Sequence, residues 1–167
     1  GSVIHNWRFV PEMNAQGQVI SALSLSRDIT EQRQAQQNYK ILFHEMLEGF
    51  ALHEIICNKA GNPIDYRFLS VNPAFERMTG LKSTDIIGRT VLEVLPNTEQ
   101  YWREAYGRVA LTGEPFHFEH FSSELQKHFE VSAFQPASNK FACIFMDVTE
   151  RKRAEEENKL LQTQLLQ

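Results

Sequence analysis

The stretch Phe141-Ala142-Cys143-Ile144-Phe145-Met146-Asp147-Val148-Thr149-Glu150-Arg151 changes character part-way along. Phe141 to Val148 is aromatic and apolar and reads as a β-strand. From Thr149 onward the chain is charged and Leu-containing to Gln167, which reads as a helix. A Thr149 hydroxyl at its start supplies a cap worth ~1 kcal/mol. Glu150 places negative charge in the first turn, where it complements the helix dipole. Asp147 and Arg151 stand four apart, and an exposed pair of this kind adds about 0–1 kcal/mol. A strand that runs directly into a helix makes a mechanical junction, so that strain in one element is felt by the other.

The same words occur earlier. Asp28-Ile29-Thr30-Glu31 precedes Asp147-Val148-Thr149-Glu150 by 119 residues, about one domain plus a linker. Each copy follows a two-strand run and opens a helix, which suggests tandem domains. Ahead of the first copy, Trp7, Phe9 and Val10 form one run and Val19 to Leu25 another, around the turn Asn14-Ala15-Gln16-Gly17. A lone hairpin is marginal in water, so this one belongs to a larger sheet. Gly1-Ser2 has the look of a cloning scar.

Between the copies the elements alternate in a readable order. The spacing of Tyr39, Leu42, Phe43 and Met46 predicts a helix over about 30–47. Phe50 to Cys57 and Ile64 to Asn72 predict strands around Lys59-Ala60-Gly61-Asn62-Pro63. Pro73 starts a short helix that Gly80 ends. Thr84 to Ile87 suggests another short helix, and Asn97 to Leu111 a longer one that Gly113 and Pro115 stop. Phe116–Phe121, His128–Phe134 and Phe141–Val148 are three further strands. Strands grouped around a helical middle indicate an α+β fold with an antiparallel sheet.

Bulk properties narrow the function. The chain has 167 residues, 42% hydrophobic and 23% charged, enough for one core-forming domain and some extra. The formal net charge of −4, without blocks of like charge, disfavours nucleic acid as the partner. No window approaches ~20 apolar residues, so this piece is not expected to contact a membrane. Cys57 and Cys143 lack a C-x-x-C spacing and are expected as reduced thiols in a cytoplasmic setting.

Four segments in order, Phe68-Leu69-Ser70-Val71-Asn72-Pro73-Ala74-Phe75, Met78-Thr79-Gly80, Ile87-Gly88-Arg89 and Asp147-Val148-Thr149-Glu150-Arg151, resemble the PAS family with its PAC-type closing motif. The resemblance covers about residues 38–152. It implies a five-stranded antiparallel sheet with helices over one face and a pocket between them. It divides the chain into the final hairpin of a preceding PAS domain (3–27), a linker or N-terminal cap helix (28–48), a PAS domain (49–149) and a signalling helix (150–167). It further implies a non-catalytic sensory and dimerisation module of a multidomain bacterial-type sensor protein, most simply a sensor histidine kinase, with a diguanylate cyclase or a ligand-free interaction scaffold as alternatives. Two departures stand out: Ser122 to Lys127 lacks the family's Asp-Gly turn, and Glu31-Gln32-Arg33 sets the first motif's arginine one residue late.

The resemblance also assigns candidate residues. Signal relay falls to Asp147, Thr149, Glu150 and Arg151, and to Asp28 and Thr30 in the first copy. The pocket is expected among Leu69, Val71, Asn72, Phe75, Met78, Trp102, Tyr106, Phe116, Phe118, Val131, Ile144 and Met146. Its content is either its own side chains or a small apolar ligand oriented by Asn72 or Tyr106. Haem is disfavoured because Asn97 to Gly113 holds no His, and flavin of the LOV type because Pro73 to Leu95 holds no Cys. His117 and His120, three apart on a strand, point to opposite faces and do not chelate together; surface or sheet-face placement is expected for the histidines. Cys57 and Cys143, on neighbouring strands, are either a redox-sensing thiol pair or two small apolar residues. Ala154, Asn158, Leu161 and Leu165 follow the spacing of a coiled-coil seam, which makes a homodimer the expected assembly. The downstream effector domain is the expected partner in cis. No spacing of nucleophile and base, phosphate loop or metal ligands points to catalysis.

Overall fold

The computed structural model describes residues 2–165. Gly1 of the expected scar and the last two residues of the expected exit helix lie outside them. The chain divides into two units between Phe43 and His44.

The first unit is a hairpin and most of a helix: β1 (His5–Met13), β2 (Val19–Asp28) and all but the last two residues of α1 (Thr30–Glu45). The turn is built by Asn14, whose Oδ1 accepts the amides of Gln16 (3.0 Å) and Gln18 (2.9 Å). Every residue of both strands is exposed, Trp7 and Phe9 included.

The second unit carries β3 (Gly49–Cys57), β4 (Pro63–Val71), β5 (Phe116–Ser122), β6 (Lys127–Phe134) and β7 (Lys140–Asp147). They form one antiparallel sheet in the order β4-β3-β7-β6-β5, so the first and last strands are central neighbours. Four helices lie between β4 and β5: α2 (Pro73–Thr79), α3 (Ser83–Ile86), α4 (Val91–Val94) and α5 (Gln100–Thr112). The last helix, α6, follows β7 from Thr149 to Leu165. The α+β architecture and the five-stranded sheet are those expected. Helix α4 was not expected; its start is written in Thr90 and Glu93, whose side chains cap each other's backbone N–H.

One face of the sheet and α5 make the core. Ala51 and Ile55, Tyr66 and Phe68, Phe129, Val131 and Ala133, and Phe141, Cys143 and Phe145 point inward from their strands, and α5 adds Trp102, Tyr106 and Val109. Gly49 is required where it stands: a Cβ there would run into the Phe145 ring. At the β5–β6 turn, Gln126 takes the left-handed conformation (φ 54°) that an Asp-Gly turn would give to glycine.

Candidate functional site

Two arrangements in the second unit combine buried polar chemistry with mechanical position: a cavity under the sheet, and the junction where β7 becomes α6.

The cavity has a volume of about 80 Å³. His53, Tyr66, Ser122, Val131 and Cys143 wall it from the sheet, Phe75, Trp102 and Tyr106 from the helices, and Thr98 from the segment before α5. His53 is 3% exposed. Its ring stacks on Phe141 (centroids 4.5 Å apart) and meets the edge of Tyr66 at 5.0 Å. Its Nδ1 is buried without a hydrogen bond. Burial pushes the imidazole down to about 3, so the ring is neutral at physiological pH. Burial also pushes the Cys143 thiol up to about 12 and the Tyr66 and Tyr106 hydroxyls upward, so no ionised group faces the cavity from these residues. Thr98 Oγ1 and Trp102 Nε1 are likewise buried without hydrogen-bond partners. The indole still lies close enough to Glu99 to be among the groups holding that carboxyl below its usual value; burial, the largest influence on it, acts the other way.

Of the residues expected in the pocket, Phe75, Trp102, Tyr106 and Val131 line the cavity. Val71 and Phe118 are buried in the surrounding core, with Met78 and Phe116 half-buried against it. Three expectations are overturned by strand parity. Ile144 is half-buried and Met146 is 47% exposed, on the face of β7 opposite Phe141, Cys143 and Phe145. The run is apolar on both faces, so alternation could not say which set points inward. Leu69 is displaced by a bulge opposite Leu52/His53 and is also only half-buried. Asn72 is buried but fully committed elsewhere. Its Oδ1 accepts the amides of Phe50 (2.8 Å) and Phe75 (2.9 Å), and its Nδ2 donates to Glu48 O (3.0 Å). It caps α2 and fixes the start of β3.

His53, expected only as a surface or sheet-face histidine, was missed as a pocket residue. The signal was its place between Ala51 and Ile55, which puts it on the apolar side of β3. The other histidines behave differently. His117 meets Ser132 Oγ (2.9 Å) and Glu130, while His120 stacks on Tyr101 at 3.9 Å. The thiols are not a pair. Cys143 sits opposite Ala51, six positions along β3 from Cys57, roughly 20 Å away at strand spacing.

At the junction, Asp147 Oδ1 accepts the Thr149 amide (3.0 Å) and the Thr149 hydroxyl (2.6 Å), and Lys127 Nζ pairs with Asp147 Oδ2 at 3.0 Å. Burial, the largest single influence on Asp147, raises its pKa, but the bonds from Thr149 and Lys127 together outweigh it and hold the carboxyl below its usual value. The Thr149 hydroxyl in turn accepts the His128 amide of β6 (3.0 Å), and His128 O accepts the Val148 amide (2.9 Å). Thr149 is therefore a tie between helix and sheet, and the capping expected of it is done by Asp147. Arg151 does not bond Asp147 either. It reaches across the sheet to Glu119 (2.5 Å) and Glu130 (2.9 Å), and Lys152 also pairs with Glu119. Glu150 is exposed and pairs with Arg153 (3.0 Å).

The first unit repeats this circuit. Asp28 Oδ1 accepts the Thr30 amide (2.9 Å) and hydroxyl (2.6 Å), the Thr30 hydroxyl accepts the Ile4 amide (2.8 Å), and Ile4 O accepts the Ile29 amide (3.0 Å).

A family model described as the PAS fold matches residues 64–153, more than half of the chain. The chain belongs to the PAS family. Solved structures agree on the fold. A domain of a sensory box sensor histidine kinase/response regulator from Geobacter sulfurreducens superposes with a TM-score of 0.51 at 19% identity, covering 71% of this chain and 99% of that one. The PAS domain of an HTR-like protein from Haloarcula marismortui gives 0.50 at 15% identity, covering 69% and 98%. An RNA-binding light-oxygen-voltage receptor gives 0.53 at 15% identity over 97% of this chain, which spans 43% of that structure's length. Among curated proteins no sequence matches. The PAS unit is thus a sensory domain of the kind found in signalling proteins.

Proposed function

We propose that this PAS domain is a non-catalytic sensory and dimerisation module that passes a change in its core to a C-terminal effector through α6. The observation that carries this reading is the Thr149 hydroxyl, which bonds the first residue of α6 both to Asp147 at the end of β7 and to the backbone of β6. A shift between β6 and β7 must move the helix, because its first residue is held by both.

The effector we favour is a histidine kinase; the Geobacter neighbour is itself a domain of a sensor histidine kinase/response regulator. A diguanylate cyclase suits the same helix, and an interaction scaffold without a ligand would use the sheet and helix alone. We place the module in the cytoplasm, where the free thiols Cys57 and Cys143 stay reduced. No helix among the described residues is long and apolar enough to cross a membrane. Residues 3–27 we read as the closing hairpin of a preceding PAS domain, because the junction after them has the bonds of the one after β7.

The seam Ala154, Asn158, Leu161 and Leu165 leaves Leu161 and Leu165 exposed on α6, an apolar stripe that a second copy covers in a two-stranded coil. Sedimentation equilibrium tests the assembly: the chain is expected to be a dimer, and Leu161→Glu with Leu165→Glu a monomer. Relay is tested by fusing the chain to a histidine kinase core and inserting one to seven residues after α6. Output is expected to vary with a period of seven. A flat response would end the relay reading.

A further inference from the structure

Helix α2 is seven residues long and is held at both ends by side chains that bond elsewhere as well. At its start Asn72 caps it and also bonds the backbone on either side of Gly49, at Glu48 O and the Phe50 amide. Its last turn leaves backbone carbonyls without a partner inside the helix. The carbonyl of Met78 is met by a lysine 49 residues further along the chain: Lys127 Nζ donates to Met78 O at 2.7 Å. The positive charge also suits the negative end of a helix. The same ammonium pairs with Asp147 Oδ2 at 3.0 Å. An ammonium has three donors, so both bonds form together. Lys127 thus stands between a helix over the sheet and the carboxylate that caps α6.

The first junction shows what the lysine is not needed for. Val3 precedes Ile4 there as Lys127 precedes His128, yet the bonds among Asp28, Thr30, Ile4 and Ile29 are all formed. The circuit of cap and strand assembles without a lysine. Nor is the pair with Asp147 a large source of stability: the two side chains are 36% and 25% exposed, and such contacts are screened by water and salt. What is particular to Lys127 is its second bond, the one to α2.

We propose that Lys127 is a positioning residue for α6, joining the end of α2 to Asp147 so that a displacement of α2 is passed to the exit helix. This rests on reading α6 as the relay element, and it names the element that drives it. When α2 moves, the ammonium that follows it pulls on, or lets go of, the carboxylate whose other oxygen holds the amide and hydroxyl of Thr149. Either event changes the hold on the first residue of α6.

A double-mutant cycle on the whole chain tests the link. Thr79→Ala removes the hydroxyl that donates to Phe75 O (2.8 Å) and accepts the Leu81 amide (3.2 Å), and so loosens the last turn of α2 without touching Lys127 or Asp147. Hydrogen exchange is read at the amides of Thr149 and Lys152, which bond Asp147 Oδ1 and Val148 O. Thr79→Ala is expected to speed exchange at both by about threefold or more. Lys127→Met keeps the length of the side chain and removes its charge and donors. In that background Thr79→Ala should have no effect at Thr149 and Lys152. Lys127→Arg, whose guanidinium can bond a carboxylate and a carbonyl together, should restore the effect. Equal acceleration with and without the lysine overturns the proposal, because an ion pair confined to the junction gives additive effects. No acceleration by Thr79→Ala in the wild-type background overturns it too. The output of the chain fused to a histidine kinase core is measured for the same variants. Coupled exchange with an output blind to Lys127→Met would keep the link and sink the relay reading. An output that responds to Lys127→Met while exchange is additive would do the reverse, so the two fail separately.

Discussion

At the first junction Ile4 donates to Thr30 and Thr30 to Asp28; at the second His128 donates to Thr149 and Thr149 to Asp147. Laying Ile4 on His128 and Asp28 on Asp147 sets Trp7 on Val131, Phe9 on Ala133, Ala22 on Phe141, Ser24 on Cys143 and Ser26 on Phe145. The cross-strand pairs coincide too: Trp7 faces Ser26 as Val131 faces Phe145, and Phe9 faces Ser24 as Ala133 faces Cys143. In the first of these pairs the ring has changed strands, from Trp7 to Phe145; in the second the ring of Phe9 has no counterpart in Ala133 or Cys143. Yet Val131 is 1% exposed and Trp7 56%. Turn chemistry needs only the local residues, and it survives intact on a bare hairpin. Burial needs three further strands and the helices packed on them, and among the described residues the second unit has these.

The most damaging way to break this contrast is Phe141→Ala, which gives the second unit the residue the first has at Ala22. Phe141 is fully buried and stacks on Tyr106 at 4.5 Å. The loss is expected to be about 3–5 kcal/mol by urea denaturation. Hydrogen exchange at Thr30 to Arg33 should not change, because that junction draws on no core. A loss well under 1 kcal/mol would mean that the second unit is no better packed there than the hairpin.

A second test separates the units by acid. His53 has a folded pKa pushed down to about 3 from an ordinary 6.5. The unfolded chain therefore takes up the proton first. The stability that His53 contributes as a neutral ring is complete above pH 6.5 and drains away as pH falls from there toward 3. At about 1.4 kcal/mol per pH unit, roughly 2–3 kcal/mol should go between pH 6.5 and 4.5. His53→Phe should flatten that slope. A slope unchanged in His53→Phe would place the acid response elsewhere.

Much of this was legible in the sequence, and the parts that were not share a cause. Strands and long helices follow from periodicity, and the junction from the doubled Asp-x-Thr-Glu words. The PAS sheet followed from four short segments in order. What escaped was parity in runs apolar on both faces. Phe141 to Met146 gives no sign of which residues point inward, and the bulge at Leu69 resets β4 without any local mark. The partners of Arg151 were out of reach for another reason: Glu119 and Glu130 lie on other strands, and only the fold brings them to α6. Asn72 looked like a pocket group because Asn is polar and central, but its position before Pro73 is that of an N-cap.

Asp147→Ala and Asp28→Ala compare the two circuits directly. Asp147 caps α6, fixes the tie of Thr149 and pairs with Lys127, and its loss should cost about 1–2 kcal/mol. Asp28 makes the same bonds to Thr30, but the position of Lys127 is taken by Val3, and its removal should show only as faster exchange at the start of α1. Because the folded pKa of Asp147 is depressed, its contribution is present above about pH 4 and is lost as pH falls below that. A difference between wild type and Asp147→Ala that persisted undiminished at pH 2 would contradict this assignment.

The smallest effect on stability is expected from a double change that copies the first junction onto the second. Arg151 corresponds to Gln32 and its partner Glu130 to Asn6, so the first unit has lost both charges of the pair together. Both side chains of the pair lie in reach of water, where such contacts are screened and contribute little. Glu130→Asn with Arg151→Gln should therefore leave the denaturation midpoint nearly where it was. Its effect should appear in how firmly the helix is held. Arg151 bridges β5 and β6 to the first turn of α6, so amides 150–153 should exchange faster in the double variant, while those beneath the sheet stay protected. A large fall in the midpoint would mean that the pair supports the core. Unchanged exchange would mean that Thr149 and Asp147 alone hold the helix, with the added charges of the second junction serving another end.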